Sequence, residues 1–187
     1  RSELALVDEV GLVVTDHRLV GRHADDLEPV GVRELAGLGG GETLTSLAPP
    51  VADLILVRKS ERRMYLMRAG EVLRSYRVAL GLVPDGPKER AGDFRTPEGS
   101  YRLTRRNTRS DFFLSIQVSY PSVADSQRAR RNGWDPGGSI MIHGLPNTLR
   151  HPPEYYRSQD WTDGCIALSN GDMVELWMMT QDDTRIE

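Results

Sequence analysis

The sequence predicts a mainly β domain carrying two short helices and preceded by an N-terminal arm. Three observations lead there. From Ala52 onward, short apolar or alternating runs follow one another with Gly, Pro, Asn and Asp turn signals between them, the spacing of strands joined by tight connections. Two segments carry helix start and stop signals. No regular strand–helix alternation runs along the chain, so a parallel α/β sheet is not expected.

Residues 1–50 show a weak pattern. Short apolar groups such as Leu12-Val13-Val14 alternate with charged clusters, and Val30 to Leu38 fits a short helix. The Gly39-Gly40-Gly41 run reads as a flexible linker and Pro49-Pro50 as a stiff one, which places a boundary near residue 51. The segment is expected to be an arm of unknown role, partly ordered or packed on the main domain. The domain itself is expected to span residues 52–187.

Within it, Leu54 to Val57 reads as a strand, Arg63 to Met67 as a second, and Ala69-Gly70-Glu71 as the tight turn into a third run, Val72 to Leu80, closed by Gly81. Val83 to Thr96 is rich in Gly, Pro and charge and reads as a surface loop. Strand spacing resumes at Ser100 to Thr104 and again at Phe112 to Tyr120, where Pro121 ends it. Ser122 to Asn132 is the first helix, with Ser122 as N-cap and Asn132-Gly133 as its stop. Gly137-Gly138 feeds the apolar run Ile140-Met141-Ile142, which ends on His143 and reads as a core strand. Asp172 to Met179 is the second helix, capped by Ser169 or Asn170.

Composition narrows the function. The 187 residues carry a formal charge of −3 and the pI is near 5.9, which supplies no basic field for nucleic acid or an anionic membrane. Two arginine clusters, Arg102 to Arg109 and Arg128 to Arg131, read as solvated faces. No apolar run approaches the roughly 18 residues of a membrane-spanning helix. The first residue is Arg1 rather than Met, which leaves room for a signal or anchor lost before it. A single cysteine excludes an internal disulfide.

That cysteine, Cys165, follows Gly164, and the histidine His143 lies 22 positions before it at the end of the core strand. A free thiol has a pKa of about 8.5, so it needs a base to become a nucleophile at neutral pH. A histidine within reach can take that proton and return it to a leaving amine. Thr162, Asp163 or a backbone carbonyl are the candidates to orient the imidazole. The amides of Gly164 and Cys165 could face a developing oxyanion, an arrangement worth roughly 3 kcal/mol per donor. A mixed metal site of Cys165, His143, His151 and Asp163 is the competing reading, but its spacing matches no zinc motif.

The block His143-Gly144 followed by Thr162-Asp163-Gly164-Cys165-Ile166 resembles the signature of the L,D-transpeptidase catalytic domain, the YkuD-type family. Other parts agree in order: Val78-Ala79-Leu80-Gly81 closing the opening hairpin, Gly92-Asp93 with Thr96-Pro97-Glu98-Gly99-Ser100-Tyr101, Tyr120-Pro121-Ser122, and Gly137-Gly138. The resemblance covers about residues 52–187. Two departures stand out: the family's histidine before the glycine is Asp163 here, and its arginine two places after the cysteine is Ala167. The covering loop, His151 to Trp161 with Pro152-Pro153 and Tyr155-Tyr156, is slightly longer than usual.

The resemblance implies an L,D-transpeptidase-like β-sandwich that acts on peptidoglycan stem peptides outside the cytoplasmic membrane, in the periplasm or cell envelope, and serves cell wall biogenesis and cell shape. It implies Cys165 as nucleophile, His143 as general base and acid, Gly164 as an oxyanion donor, and no metal or cofactor. Acylation by a carbapenem is expected. Tyr120, Gly144, Trp161 and Asp163 are the candidates for the substrate wall, and a monomer is the expected state. Two alternatives remain beside it: an L,D-carboxypeptidase or endopeptidase that ends the same thioester with water, and a non-catalytic wall-binding module.

Overall fold

The computed structural model describes residues 49–187. The expected arm, including the Val30 to Leu38 helix, lies outside the described residues apart from Pro49 and Pro50. Eight strands of the described residues form one hydrogen-bonded sheet in the order β3-β2-β1-β8-β4-β5-β6-β7. The mainly β fold class expected from the sequence is the one found.

β1 (Leu54–Arg58), β2 (Arg63–Arg68) and β3 (Glu71–Arg77) form the opening antiparallel meander, with Ala69-Gly70 as its second turn. Ile55, Met64 and Leu66 point from it into the core and are fully buried. β4 (Tyr101–Ser110) is longer than its apolar pattern suggests. Its first residues pair with β8 (Arg185–Ile186), and the rest pairs with β5 (Phe113–Val118) through two register shifts. Such irregularities bend a strand and raise its twist, so β4 belongs to both halves of the sheet. β8 is a two-residue strand without an alternating pattern, and only its place between β1 and β4 makes it one.

α1 (Val123–Arg131) begins where expected. Ser122 Oγ accepts from the Asp125 amide while the Asp125 carboxylate accepts from the Ser122 amide, a capping box of the kind worth about 1 kcal/mol. α3 (Asn170–Met179) is capped by Ser169, whose hydroxyl accepts from the Asp172 amide. Its Met173, Leu176 and Met179 are fully buried on the sheet beside Leu103, Ile116 and Ile142.

Two expectations need correction. The covering segment contains a third helix, α2 (Pro153–Ser158), so β6 (Met141–His143) reaches β7 (Ile166–Ala167) through a helical crossover and the two strands run parallel. Six helical residues beginning at a proline carry too little periodicity to stand out. The arginine clusters are not wholly solvated either. Arg106 donates to the carbonyls of Trp177 and Thr180 at the end of α3, pairs with Asp182, and lies over the Trp177 ring. A cation there satisfies carbonyls that a helix end leaves unpaired.

Candidate active site

The parallel pairing of β6 and β7 sets Ile142 opposite Ile166 and His143 opposite Ala167. Cys165 directly precedes β7, and its sulfur accepts a hydrogen bond from the Met141 amide at 3.4 Å. The thiol also lies 3.7 Å from the Ser139 carbonyl, to which it donates. Two strands thus deliver the cysteine and the histidine, 22 positions apart in sequence, to one cleft of about 1350 Å³. That cleft is also lined by Lys88, Phe112, Trp161 and Asp163.

His143 is buried, and its Nδ1 donates to the Gly144 carbonyl at 2.7 Å. Of the three candidate orienters, the backbone carbonyl is the one in place. The bond fixes the tautomer and leaves Nε2 with its lone pair. The ring lies tilted against Phe112 with centroids 4.6 Å apart and meets Trp161 edge-on at 5.6 Å. Burial pushes the imidazole below its usual range, against the opposing effect of the Gly144 carbonyl. Burial likewise pushes the Cys165 thiol up; the Met141 amide lowers it, nearby Asp163 raises it further, and Lys88 lowers it. Both shifts favour the neutral form of the group concerned.

The turn before Cys165 is held by Thr162. Its hydroxyl donates to the Cys165 carbonyl at 2.7 Å and accepts from the Gly164 amide at 3.1 Å. The Gly164 amide, the expected oxyanion donor, is thus engaged by Thr162 in this structure. Among the described residues, the Cys165 amide has no such acceptor. Gly164 is required for another reason: its φ is +125°, and a Cβ there would lie 2.6 Å from the Arg95 carbonyl oxygen. The Arg95 backbone is held in turn by Asp93, whose carboxylate accepts from the amides of Glu89, Arg90 and Arg95 and from the buried Lys88 ammonium at 2.6 Å.

The covering segment is pinned from the other side. Asp160 accepts from the Leu80 amide and from Arg62, and Thr162 exchanges backbone bonds with Leu80 and Leu82. Tyr156 packs edge-on against Trp161 at 5.1 Å, and His151 lies tilted against Tyr155 at 4.2 Å. Aromatic side chains thus run from the imidazole to the outer rim.

Of the residues expected in the substrate wall, Trp161 and Asp163 line the cleft. Tyr120 does not: it is buried in the core against Tyr101, with its hydroxyl donated to the Pro136 carbonyl. Gly144 does not either. A Cβ on it would meet Asn170 Oδ1 at 2.6 Å and the Phe113 side chain at 3.0 Å, so its use is to let the chain pass and to offer its carbonyl to His143. Sequence reasoning missed Phe112, Ser139, Met141 and Lys88. The first three are ordinary strand or loop residues whose role comes from register, and Lys88 sits in a stretch that reads as solvated loop. Among the described residues, no three His, Cys, Asp or Glu side chains gather as metal ligands. No helix among them is long and apolar enough to cross a membrane.

The sequence profile of the YkuD family, described as the L,D-transpeptidase catalytic domain, matches residues 52–187. YafK of Escherichia coli strain K12, provisionally named an L,D-transpeptidase, is 34% identical over 129 residues, covering 66% of this chain and 45% of YafK. This chain therefore spans about half the length of that curated relative. The helical cell shape determining protein Pgp2 of Campylobacter jejuni superposes with a TM-score of 0.54 at 26% identity, over 71% of this chain and 46% of Pgp2.

Proposed function

Since the chain belongs to the YkuD family of L,D-transpeptidase catalytic domains, we propose that it is a cysteine-dependent L,D-transpeptidase acting on peptidoglycan stem peptides in the cell envelope. The observation that carries this reading is the delivery of Cys165 and the buried, tautomer-fixed His143 by adjacent parallel strands to one cleft.

The chemistry follows from that arrangement. His143 Nε2 takes the thiol proton as the sulfur attacks the carbonyl of the amide after the third stem residue. A tetrahedral oxyanion forms beside the Cys165 amide. The carbon–nitrogen bond then breaks, and the imidazolium returns the proton to the departing amino group of D-alanine. A thioester remains on Cys165. An acceptor amine attacks it, gives its proton to His143, and expels the sulfur, which recovers the proton as the transpeptide leaves. Phe112, Tyr156 and Trp161 line the cleft beside the reacting groups with aromatic surface, and electrostatic contacts against such surface are stronger than in open water.

The test is product analysis on a stem tetrapeptide with and without an added amine acceptor. Release of D-alanine together with an acceptor-linked tripeptide is the expected result. Release with the free tripeptide alone, even at high acceptor concentration, would make the protein a carboxypeptidase. Binding without release would leave a wall-binding module.

A further inference from the structure

Asp163 lies between Thr162 and Gly164 on the turn that presents Cys165, is exposed, and lines the cleft with His143 and Cys165. The other acids that hold this region together are matched. Asp93 carries Lys88, and Asp160 carries Arg62. Among the described residues, no cation forms an ion pair with Asp163. Its carboxylate has no evident structural task either, since the turn is fixed by the Thr162 hydroxyl and the glycine.

Two charges act on the Cys165 sulfur. Lys88 favours the thiolate and Asp163 opposes it. Lys88 is buried and compensated by Asp93, so its influence is built in. Asp163 lines the cleft without an ion-pair partner among the described residues. The other charged groups facing this cleft are Arg109, Asp111 and Arg150, with His151 at the rim.

Resting on the acyl-transfer reading above, we propose that Asp163 is the specificity-determining carboxylate of the cleft, pairing with a primary ammonium group on the side chain of the acyl-donor residue. An ammonium on the acceptor is the poorer fit. An acceptor must lose a proton to attack, and a carboxylate contact holds that proton on. A spectator ammonium on the donor suffers no such conflict. It also cancels the negative charge beside the sulfur, so the thiol becomes easier to ionise when the right donor is seated.

The experiment uses the 187-residue chain carrying Cys165→Ala, with and without Asp163→Asn. Binding is measured for one stem tetrapeptide in two forms, with the side-chain amine of the third residue free or acetylated. Asp163 is expected to favour the free amine by roughly three- to fivefold, the scale of one partly exposed ion pair, and Asp163→Asn to bring the ratio near one. In parallel, Asp163→Asn alone is expected to speed alkylation of Cys165 by neutral iodoacetamide at pH 7, which a purely structural residue would not do. An unchanged binding ratio, or an absence of binding by both forms, overturns the proposal. Failure of the unmutated chain to release D-alanine while the ammonium preference persists would sink the transpeptidase reading alone. D-alanine release without that preference would sink this proposal alone.

Discussion

The backbone amide of Met141 donates to the sulfur of Cys165 across the start of the β6–β7 pairing, at 3.4 Å. The nucleophile is thus registered against the strand that ends in His143, two residues further on. The Ser139 carbonyl is placed to accept from the thiol, and burial raises the thiol and lowers the imidazole, so the site favours a hydrogen-bonded S–H over a thiolate–imidazolium pair.

That state has a kinetic signature. Burial raises the thiol and lowers the imidazole, so iodoacetamide labelling of Cys165 should be slow at pH 7 and climb only above about pH 8.5, where an ordinary thiol ionises. Fast labelling that is flat between pH 6 and 8 would instead mark an ion pair.

His143 also ties stability to acid. Its folded pKa is depressed by burial, so the unfolded chain binds the proton more readily. Stability should fall as pH drops below about 6.5. Urea unfolding at pH 7.5, 6.0 and 5.0 should show a steeper loss for the unmutated chain than for His143→Gln; equal slopes would argue against a buried neutral imidazole.

Asp93 acts at lower pH. Burial opposes its charge, but Lys88 and three backbone amides hold its pKa down at about 2. The stability it contributes is present above about pH 4 and disappears as pH falls toward 2. Lys88→Met leaves that carboxylate without its buried partner and should cost about 3–5 kcal/mol. Thermal and urea melts check the loss, and Lys88→Met paired with Asp93→Asn should recover part of it.

Gly164→Ala forces a Cβ toward the Arg95 carbonyl at a φ of +125°. Strain of this kind costs on the order of 1–3 kcal/mol, and relief would have to displace the turn that carries Cys165. The expected result is a lowered melting temperature together with loss of acylation. A variant that keeps both would show that the turn tolerates movement.

Much of this molecule was legible in its residues. The opening meander, both capped helices and the strand ending at His143 have local causes: alternation, a turn, an N-cap, a glycine stop. The pairing of His143 with the Thr162–Cys165 block was legible through the ordered set of motifs. What escaped has long-range causes. β8 is a strand because β1 and β4 flank it, and Tyr120 is core because Tyr101 and Pro136 enclose it. Gly164 illustrates the limit: the sequence marks the glycine, but its amide is taken by Thr162 and its necessity comes from Arg95, 69 positions away. Lys88 is hidden for the same reason, since a lysine in a Gly- and Pro-rich loop looks solvated until Asp93 and the cleft wall bury it.

Catalysis in this reading depends on an acylating thiol at Cys165 served by His143. Intact mass after incubation with a carbapenem tests it most directly, on the unmutated chain beside Cys165→Ala and His143→Ala. One adduct is expected on the unmutated chain, none on Cys165→Ala, and formation slowed by roughly 100-fold or more on His143→Ala, as for loss of a general base. An adduct that survives Cys165→Ala, or no adduct on a folded unmutated chain, would contradict it.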